Sequence, residues 1–144
     1  MTHRIQLSDA PPDSARQVIV NGLVAYNRAR TGIADHRPLT LLLHEEQGDV
    51  VGGLWGRTAY GWLFVELLFV PEPLRGRGVG RALMQQAEDE ARVRGAVGIW
   101  LDTFGFQARP FYEALGYRVF GEIADYPPGF SRYYLQKRLD RAAS

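Results

Sequence analysis

One segment, residues 62–102, limits the possible folds of this chain more than any other. It opens with a nearly unbroken apolar run, WLFVELLFV at 62–70, which is typical of a central strand covered on both faces. After a glycine-rich turn, apolar side chains recur every four residues and predict an amphipathic helix, at Val79, Leu83, Ala87 and Ala91. AVGIWLD at 96–102 predicts a second buried strand. A strand, a helix and a strand in this order form a βαβ unit, so the two strands should lie parallel.

The rest of the chain predicts further strands and helices around that unit. The predicted strands are RIQL at 4–7, a hairpin of 39–46 and 50–58, and a final pair at 117–123 and 131–139. Helices are predicted at 15–30, with a kink or break at Asn21–Gly22, and at 106–116. Together these elements predict a mixed α/β fold in a single domain, residues 1–144.

Charged residues along the helix that begins at Val79 suggest how its exposed face is stabilised. Glu88 precedes Arg92 by four residues, and Glu90 precedes Arg94 by four, which is the favourable order for ion pairs on a helix. Gly95 follows as a plausible C-terminal cap. We therefore expect two such ion pairs on this helix.

Composition excludes several classes of function. The chain has no cysteine and only three scattered histidines, so neither a thiolate site, a cysteine nucleophile nor a metal site is expected. A net charge of +1 argues against bulk attraction to nucleic acid or to an anionic membrane. No run approaches the roughly 20 apolar residues of a membrane span, and the N-terminus lacks the apolar core of a secretory leader. A cytoplasmic protein is the default expectation.

The turn between strand and helix, LRGRGVGRAL at 74–83, places positive charge at the positive end of a helix. Each cation there is misplaced by roughly 0.3–1 kcal/mol. Free N–H groups at a helix N-terminus form an anion site, and glycines let the backbone approach a ligand closely. Arginines can add charge-assisted contacts to phosphate. The turn therefore predicts a phosphate ligand, although a glycine turn with solvated arginines is the alternative.

Two familiar nucleotide loops do not match this turn. The dinucleotide pattern G-x-G-x-x-G, counted from Gly76, reaches Arg81 instead of a third glycine. A Walker loop needs a lysine after its glycines, and the chain's one lysine is Lys137. What remains is R-x-x-G-x-G, formed by Arg75, Gly78 and Gly80.

This pattern resembles the acetyl-CoA pyrophosphate loop of the GNAT superfamily of N-acetyltransferases. The stretch LLFVPEPLRGRGVGRALM is similar to that family's strand, loop and helix, and FYEALGY at 111–117 resembles its second signature. The likeness covers residues 50–123, about half of the chain. It implies the GNAT acyl-CoA N-acyltransferase fold, in which helices flank a central mixed sheet with a splayed parallel pair.

The resemblance also implies where acetyl-CoA would bind. Backbone N–H groups of the glycine loop would hold the pyrophosphate, which maps onto Arg75, Gly76, Arg77, Gly78, Val79, Gly80 and Arg81. The pantetheine arm would lie along the end of the preceding strand, at Leu68, Phe69 and Val70. The amide near Leu68 or Phe69 would polarise the thioester carbonyl, an oxyanion-hole role. Many members carry an asparagine seven residues before the tyrosine of the second signature; here that position is Gly105, and Gln107 is the candidate replacement.

Two residues are the candidate catalytic groups. Tyr112 matches the family tyrosine that protonates the departing thiolate, and a phenol of pKa about 10 suits that task; a core aromatic is its alternative role. Glu66 lies within the apolar strand, where a carboxylate is costly unless it is paired or faces a cleft. It could act as the base toward the substrate ammonium, bind that cation, or pair with an arginine. Asp102 could bind the acceptor or, more simply, cap a turn.

The expected function is transfer of an acetyl group from acetyl-CoA to a primary amine by direct attack. A small-molecule acceptor is preferred, since the aromatic tail loop DYPPGFSRYY and the helix around Tyr26 could wall a compact pocket. The same aromatic residues also suit a homodimer interface or ordinary packing. The alternatives are a catalytically silent acyl-CoA-binding domain on the same fold and a protein N-acetyltransferase.

Overall fold

The computed structural model describes residues 2–141, and the chain divides into two compact units between Ala34 and Asp35. The first unit contains one helix, α1 (Asp13–Thr31), which ends where Gly32 adopts a left-handed φ of 73° and donates its N–H to the Arg28 carbonyl at 2.8 Å. The predicted helix is therefore confirmed. It runs as one helix through Asn21–Gly22, so the expected break into two short helices is wrong, and the kink stays a prediction.

Residues 4–7 do not form the predicted first strand. The side chains of Ile5 and Leu7 are almost fully exposed, and no neighbouring strand pairs with this segment. A four-residue segment cannot satisfy its backbone as a strand without such a partner. The single-domain organisation over residues 1–144 stays a prediction.

The second unit is built on a six-stranded mixed sheet in the order β1-β2-β3-β4-β6-β5. Its elements in chain order are β1 (Arg37–His44), β2 (Val50–Ala59), β3 (Trp62–Phe69), α2 (Val79–Val93), β4 (Gly98–Phe104), α3 (Arg109–Ala114), β5 (Arg118–Ala124) and β6 (Ser131–Arg138). A short 3₁₀ turn, Glu72–Leu74, lies between β3 and α2. Among the strands of the described chain, only β3 and β4 pair in parallel. The predicted βαβ unit, the hairpin and the final strand pair are all confirmed.

The core lies between one face of the sheet and α2. Strands β3 and β4 turn alternate side chains toward it, and α2 meets them with the apolar stripe that its four-residue spacing predicted. The buried apolar side chains of these elements are Leu63, Val65, Leu83, Met84, Ala87, Ala91, Ile99 and Leu101. Burying each of the larger ones contributes about 1.5–3 kcal/mol. This packing fixes α2, and so its N-terminus, against the sheet.

One of the two expected helix ion pairs is present. Glu90 and Arg94 meet at 2.8 Å, and Gly95 follows in a left-handed conformation with φ 80°. The Glu88–Arg92 pair is wrong, because Glu88 points into the core and Arg92 pairs with Asp89 instead.

Buried Glu88 links α2 to β6 and to the turn after α3. Its carboxylate accepts hydrogen bonds from the Lys137 ammonium at 2.9 Å and from the Tyr117 hydroxyl at 3.0 Å. Lys137 also donates to the Leu115 carbonyl at the end of α3, at 2.9 Å. Burial and the Glu88 charge together raise the pKa of Tyr117 above its ordinary value. The chain's one lysine is therefore engaged in holding α3 and β6 to α2.

Strands β3 and β4 pair only at their beginnings. The ladder runs from Trp62 with Gly98 to Val65 with Leu101 and then stops. On the other side, the β2–β3 register shifts between Trp55 and Gly56, which leaves Glu66 as the extra residue of a bulge on β3. A bulge bends its strand and increases the local twist, so β3 turns away from β4 at this point. This is the splayed parallel pair expected of the fold.

The second half of β3 is less covered than its apolar sequence predicts. Leu67 and Phe69 are exposed, although the strand lies centrally in the sheet as expected. The prediction that both faces of β3 are covered is therefore wrong for this half of the strand, which leads into the candidate site. Among residues 2–141, no helix combines the length and the apolar character needed to cross a membrane.

Candidate active site

The glycine turn lies at the N-terminus of α2 and leaves its first N–H groups open. Gly78 is the N-cap with φ 80°, no side chain caps the helix, and no acidic residue occupies its first turn. Gly76 shares this left-handed conformation with φ 76°. A Cβ at Gly76 or Gly78 would meet no heavy atom within 4 Å, so the space beside both glycines is open. An exposed helix N-terminus with such room fits an anionic group such as a pyrophosphate.

Gly80 is required for a different reason. It lies inside α2, and a Cβ there would approach the Phe111 ring of α3 to 3.3 Å and Val70 to 3.7 Å. Its lack of a side chain lets α2, α3 and the end of β3 come close together. Gly80 therefore positions the loop through packing.

The three arginines of the turn divide into two kinds. Arg75 donates from Nε to the Val70 carbonyl at 2.8 Å and lies over the Phe69 ring at 5.8 Å, so it braces the end of β3. Arg77 and Arg81 are exposed, and neither has an ion-pair partner within the described residues 2–141. These two side chains are free to approach a phosphate, whereas Arg75 is already engaged.

The edge of β3 that faces the gap carries unpaired backbone groups. A Cβ at Gly52 would lie 2.6 Å from the Phe69 carbonyl oxygen, which places that oxygen on the β2 side of β3. Backbone directions alternate along a strand, so the N–H and C=O of Leu68 point the other way, into the gap left by β4. Of the two amides that the resemblance offers for the thioester carbonyl, this geometry favours Leu68.

Tyr112 lies in α3 and its ring is buried in the core cluster, against Phe111 and Tyr117. Within the described chain, no group forms a hydrogen bond with its hydroxyl, which leaves the O–H able to donate to a ligand. Burial, with a smaller contribution from the Asp102 charge, raises the pKa of Tyr112 to about 12. The phenol therefore stays protonated at neutral pH, which is the state that a general acid requires.

Glu66 is paired and half exposed. Its carboxylate lies 3.8 Å from the Arg57 guanidinium, and both side chains are 48% exposed. Of the three roles expected for Glu66, pairing with an arginine is therefore present. An ion pair between exposed groups contributes only about 0–1 kcal/mol, so this contact leaves the carboxylate able to meet a substrate cation. The base and cation-binding roles stay predictions.

Gln107 and Asp102 have local partners. The Gln107 side-chain oxygen accepts hydrogen bonds from the Phe104 N–H at 2.9 Å and from the Thr103 hydroxyl at 3.4 Å, so it stabilises the turn after β4. Its amide nitrogen is the part left for a pantetheine contact. Asp102 does not cap that turn as expected; its carboxylate pairs with Arg132 at 2.8 Å across the β4–β6 ladder.

Comparison with known proteins decides the family. The model of the acetyltransferase (GNAT) family matches residues 8–117. The chain belongs to this family. The resemblance of the glycine turn and of FYEALGY is thus confirmed over a longer stretch than the two motifs themselves, and the GNAT chain is an acyltransferase enzyme.

Individual relatives support the same conclusion. Acetyltransferase Atu2258 of Agrobacterium fabrum is 43% identical over 92% of this GNAT chain and 97% of its own length. Blasticidin-S acetyltransferase of Streptomyces morookaense is 40% identical over 76% of this chain and 84% of its own. A crystal structure from Agrobacterium tumefaciens, assigned as an acetyltransferase, superposes with a TM-score of 0.90 at 42% identity and covers 94% of this chain and 99% of the other.

Membership of the GNAT family bears on the remaining expectations. The six-stranded mixed sheet with one parallel pair matches the fold of these relatives. GNAT acetyltransferases use acetyl-CoA, the co-substrate that the resemblance implied. Among residues 2–141, no three His, Asp or Glu side chains lie close enough to share a metal ion. The acceptor, a homodimer, the absence of nucleic-acid partners and a cytoplasmic location stay predictions.

Two arginines at the GNAT site could not be found from the sequence. Arg57 reaches Glu66 from β2, and Arg132 reaches Asp102 from β6. Each pair joins residues on different strands, so no local spacing indicates it. The one available signal was general: a carboxylate inside an apolar strand usually needs a cationic partner.

Proposed function

We propose that this GNAT enzyme transfers the acetyl group of acetyl-CoA to the primary amine of a small molecule. The observation that carries the proposal is the open α2 N-terminus beside the unpaired end of β3. The N-terminus of α2 offers N–H groups to a pyrophosphate, and the unpaired end of β3 offers a strand edge to the amides of a pantetheine arm. Acetyl-CoA, when bound, supplies an activated acyl thioester.

Each residue of the site has a defined task in this proposal. The N–H groups around Gly78, with Arg77 and Arg81, bind the phosphates. The Leu68 N–H donates to the thioester carbonyl, where it stabilises negative charge that develops during the reaction. Tyr112 holds a proton at its hydroxyl oxygen and donates it to the departing thiolate. The amine nitrogen attacks directly, consistent with the absence of cysteine and of a serine nucleophile elbow from the sequence.

A small-molecule acceptor is supported by the relatives that resemble this chain over most of its length. One of them is named for acetylation of blasticidin-S, and it shares 40% identity over 114 residues. The exposed Glu66 carboxylate at the split between β3 and β4 would attract an ammonium group toward the gap. The first observation favours a small molecule over a protein segment, and the second favours a cationic acceptor of either kind.

The test is a panel of amines incubated with acetyl-CoA, with release of the CoA thiol followed by a thiol reagent. The panel should include arylalkylamines, polyamines, amino-acid amides, blasticidin-S and a peptide with a free N-terminus. We expect turnover with at least one small amine. Turnover with the peptide alone would instead indicate a protein N-acetyltransferase, and tight CoA binding without any turnover would contradict the proposed reaction.

Replacing Glu66 by glutamine should separate its three roles. We expect kcat/KM for the amine to fall roughly tenfold or more, because a charge-assisted hydrogen bond contributes about 1.5–3 kcal/mol. A rise in KM indicates cation binding, whereas a fall in kcat that is steepest at low pH indicates a base. Arg57→Met is the matched control, since it removes the ion pair and keeps the carboxylate. Unchanged kinetics in Glu66→Gln would leave the residue as a structural partner of Arg57.

A further inference from the structure

A cluster of four aromatic side chains lies where β4 ends. Phe104 stacks on Phe106 with ring centroids 5.4 Å apart and touches Tyr126 at the same distance. Phe106 in turn meets Phe130 edge-on at 5.2 Å. We call these four residues the aromatic cluster. Phe106, Tyr126 and Phe130 are 42–55% exposed, so the cluster presents a continuous apolar surface to ligands.

The Arg132 side chain packs against two rings of the aromatic cluster. Its guanidinium lies 5.3 Å from the Phe104 ring centre and 5.0 Å from that of Tyr126, and it donates to the Tyr126 hydroxyl at 3.0 Å. Its charge is matched by Asp102, which accepts from Nε at 3.0 Å and from a terminal nitrogen at 2.8 Å. Since the guanidinium is already paired, the cluster offers ring surface and no free cation. This arrangement favours a flat uncharged group over an anion.

The cluster is continuous with the proposed reaction site. Asp102 pairs with Arg132, whose guanidinium lies against the Phe104 and Tyr126 rings, and the Asp102 charge contributes to the raised pKa of Tyr112. Phe104 and Asp102 belong to β4 just beyond the point where the β3–β4 ladder stops, and Glu66 lies at the same point on β3. An acceptor whose amine enters this gap can therefore rest its body on the aromatic cluster.

We propose that the aromatic cluster selects acceptors in which a short alkyl chain joins the primary amine to a flat, unsaturated ring. This inference rests on the proposed acetyl transfer and adds the substrate class. The ring would stack on Phe106 and Phe130 while the amine reaches toward Glu66 and the gap. Phe106 and Phe130 are then the specificity-determining residues, and an aliphatic amine of the same size makes the poorer acceptor.

The experiment compares 2-phenylethylamine with 2-cyclohexylethylamine, two amines of similar length and basicity. Their binding is measured by titration calorimetry on protein saturated with CoA, and their acetylation is measured separately with acetyl-CoA. We expect the aromatic amine to bind roughly two- to tenfold more tightly, the range for aromatic pairs. In the double variant Phe106→Ala/Phe130→Ala this preference should disappear while the affinity for CoA stays unchanged.

A matched control uses Phe120, which is 55% exposed like Phe106 and lies outside the cluster on β5. Phe120→Ala should keep the preference. Equal or absent binding of the two amines, or an unchanged preference in the double variant, would overturn the inference. So would a shift from dimer to monomer in the double variant, since the cluster would then be a subunit interface. If the aromatic amine binds more tightly but neither amine is acetylated, the role of the cluster is supported and acetyl transfer is contradicted. If the amines are acetylated but bind equally, acetyl transfer is supported and the role of the cluster is contradicted.

Discussion

Replacing Gly78 by valine is expected to weaken acetyl-CoA binding by at least about a hundredfold while the fold is retained. Gly78 has φ 80°, a conformation that costs an L-residue roughly 1–2 kcal/mol and a β-branched one more. The valine side chain would also project into the open space beside the α2 N-terminus, where the phosphates are proposed to lie. Loss of two charge-assisted hydrogen bonds at about 1.5–3 kcal/mol each accounts for the expected magnitude. Titration calorimetry with acetyl-CoA measures it.

Gly61→Val provides the matched control for that experiment. Gly61 has φ 78° and lies in the turn between β2 and β3, where an added Cβ would meet no heavy atom within 4 Å. It therefore shares the backbone strain of Gly78 but not its place at the helix. Gly61→Val should lose stability by a similar amount and keep its affinity for acetyl-CoA. If Gly78→Val bound as tightly as Gly61→Val, the phosphate site would have to lie elsewhere in the chain.

Removing the hydroxyl of Tyr112 is expected to lower kcat by about 10²–10⁴-fold, the range for loss of a positioned general acid. Tyr112→Phe keeps the buried ring, and no described group forms a hydrogen bond with the lost hydroxyl, so affinity and stability should change little. Steady-state kinetics with acetyl-CoA and an accepted amine give kcat, and calorimetry gives affinity. An unchanged kcat would leave Tyr112 as a core aromatic.

The neighbouring Tyr117→Phe is the control, because it removes a hydroxyl with a structural partner. That hydroxyl donates to buried Glu88 at 3.0 Å, so its loss should cost about 1–3 kcal/mol of folding free energy with kcat largely retained. The pH profile adds a second check on Tyr112. Its pKa of about 12 keeps the acid protonated through neutral and mildly alkaline pH, and the proton is lost only as pH rises toward that value. At every pH below about 10, titration of Tyr112 should therefore cause no loss of activity.

Periodic patterns predicted the elements that position the site. The four-residue spacing from Val79 to Ala91 located α2, and the continuous apolar runs located β3 and β4 as a parallel pair. These predictions succeeded because a helix or strand of a βαβ unit must bury a face whose period its own sequence carries. The same reasoning failed at residues 4–7, where Ile5 and Leu7 alternate with polar residues as in a strand but no strand forms.

Side-chain partners between distant elements could not be predicted in this way. Glu88 was assigned to Arg92 by helical spacing, yet the fold brings Lys137 and Tyr117 to it from β6 and the turn after α3. Asp102 was expected to cap a turn, whereas Arg132, which lies opposite Phe104 on β6, reaches it diagonally across the β4–β6 ladder. Each of these contacts depends on strand order, in which β6 lies between β4 and β5, and that order is not a local property of the sequence. The aromatic cluster around Arg132 arises from the same arrangement.

The most direct test of the proposed reaction is to follow both of its products at once. The wild-type enzyme, acetyl-CoA and an amine from the panel are incubated together, and free CoA thiol and N-acetylated amine are quantified by mass spectrometry. The proposal predicts that the two products form in equal amounts with the wild type, far more slowly with Tyr112→Phe, and hardly at all with Gly78→Val at the same acetyl-CoA concentration. Thiol release without an N-acetylated product, or equal product formation by all three proteins, would contradict it.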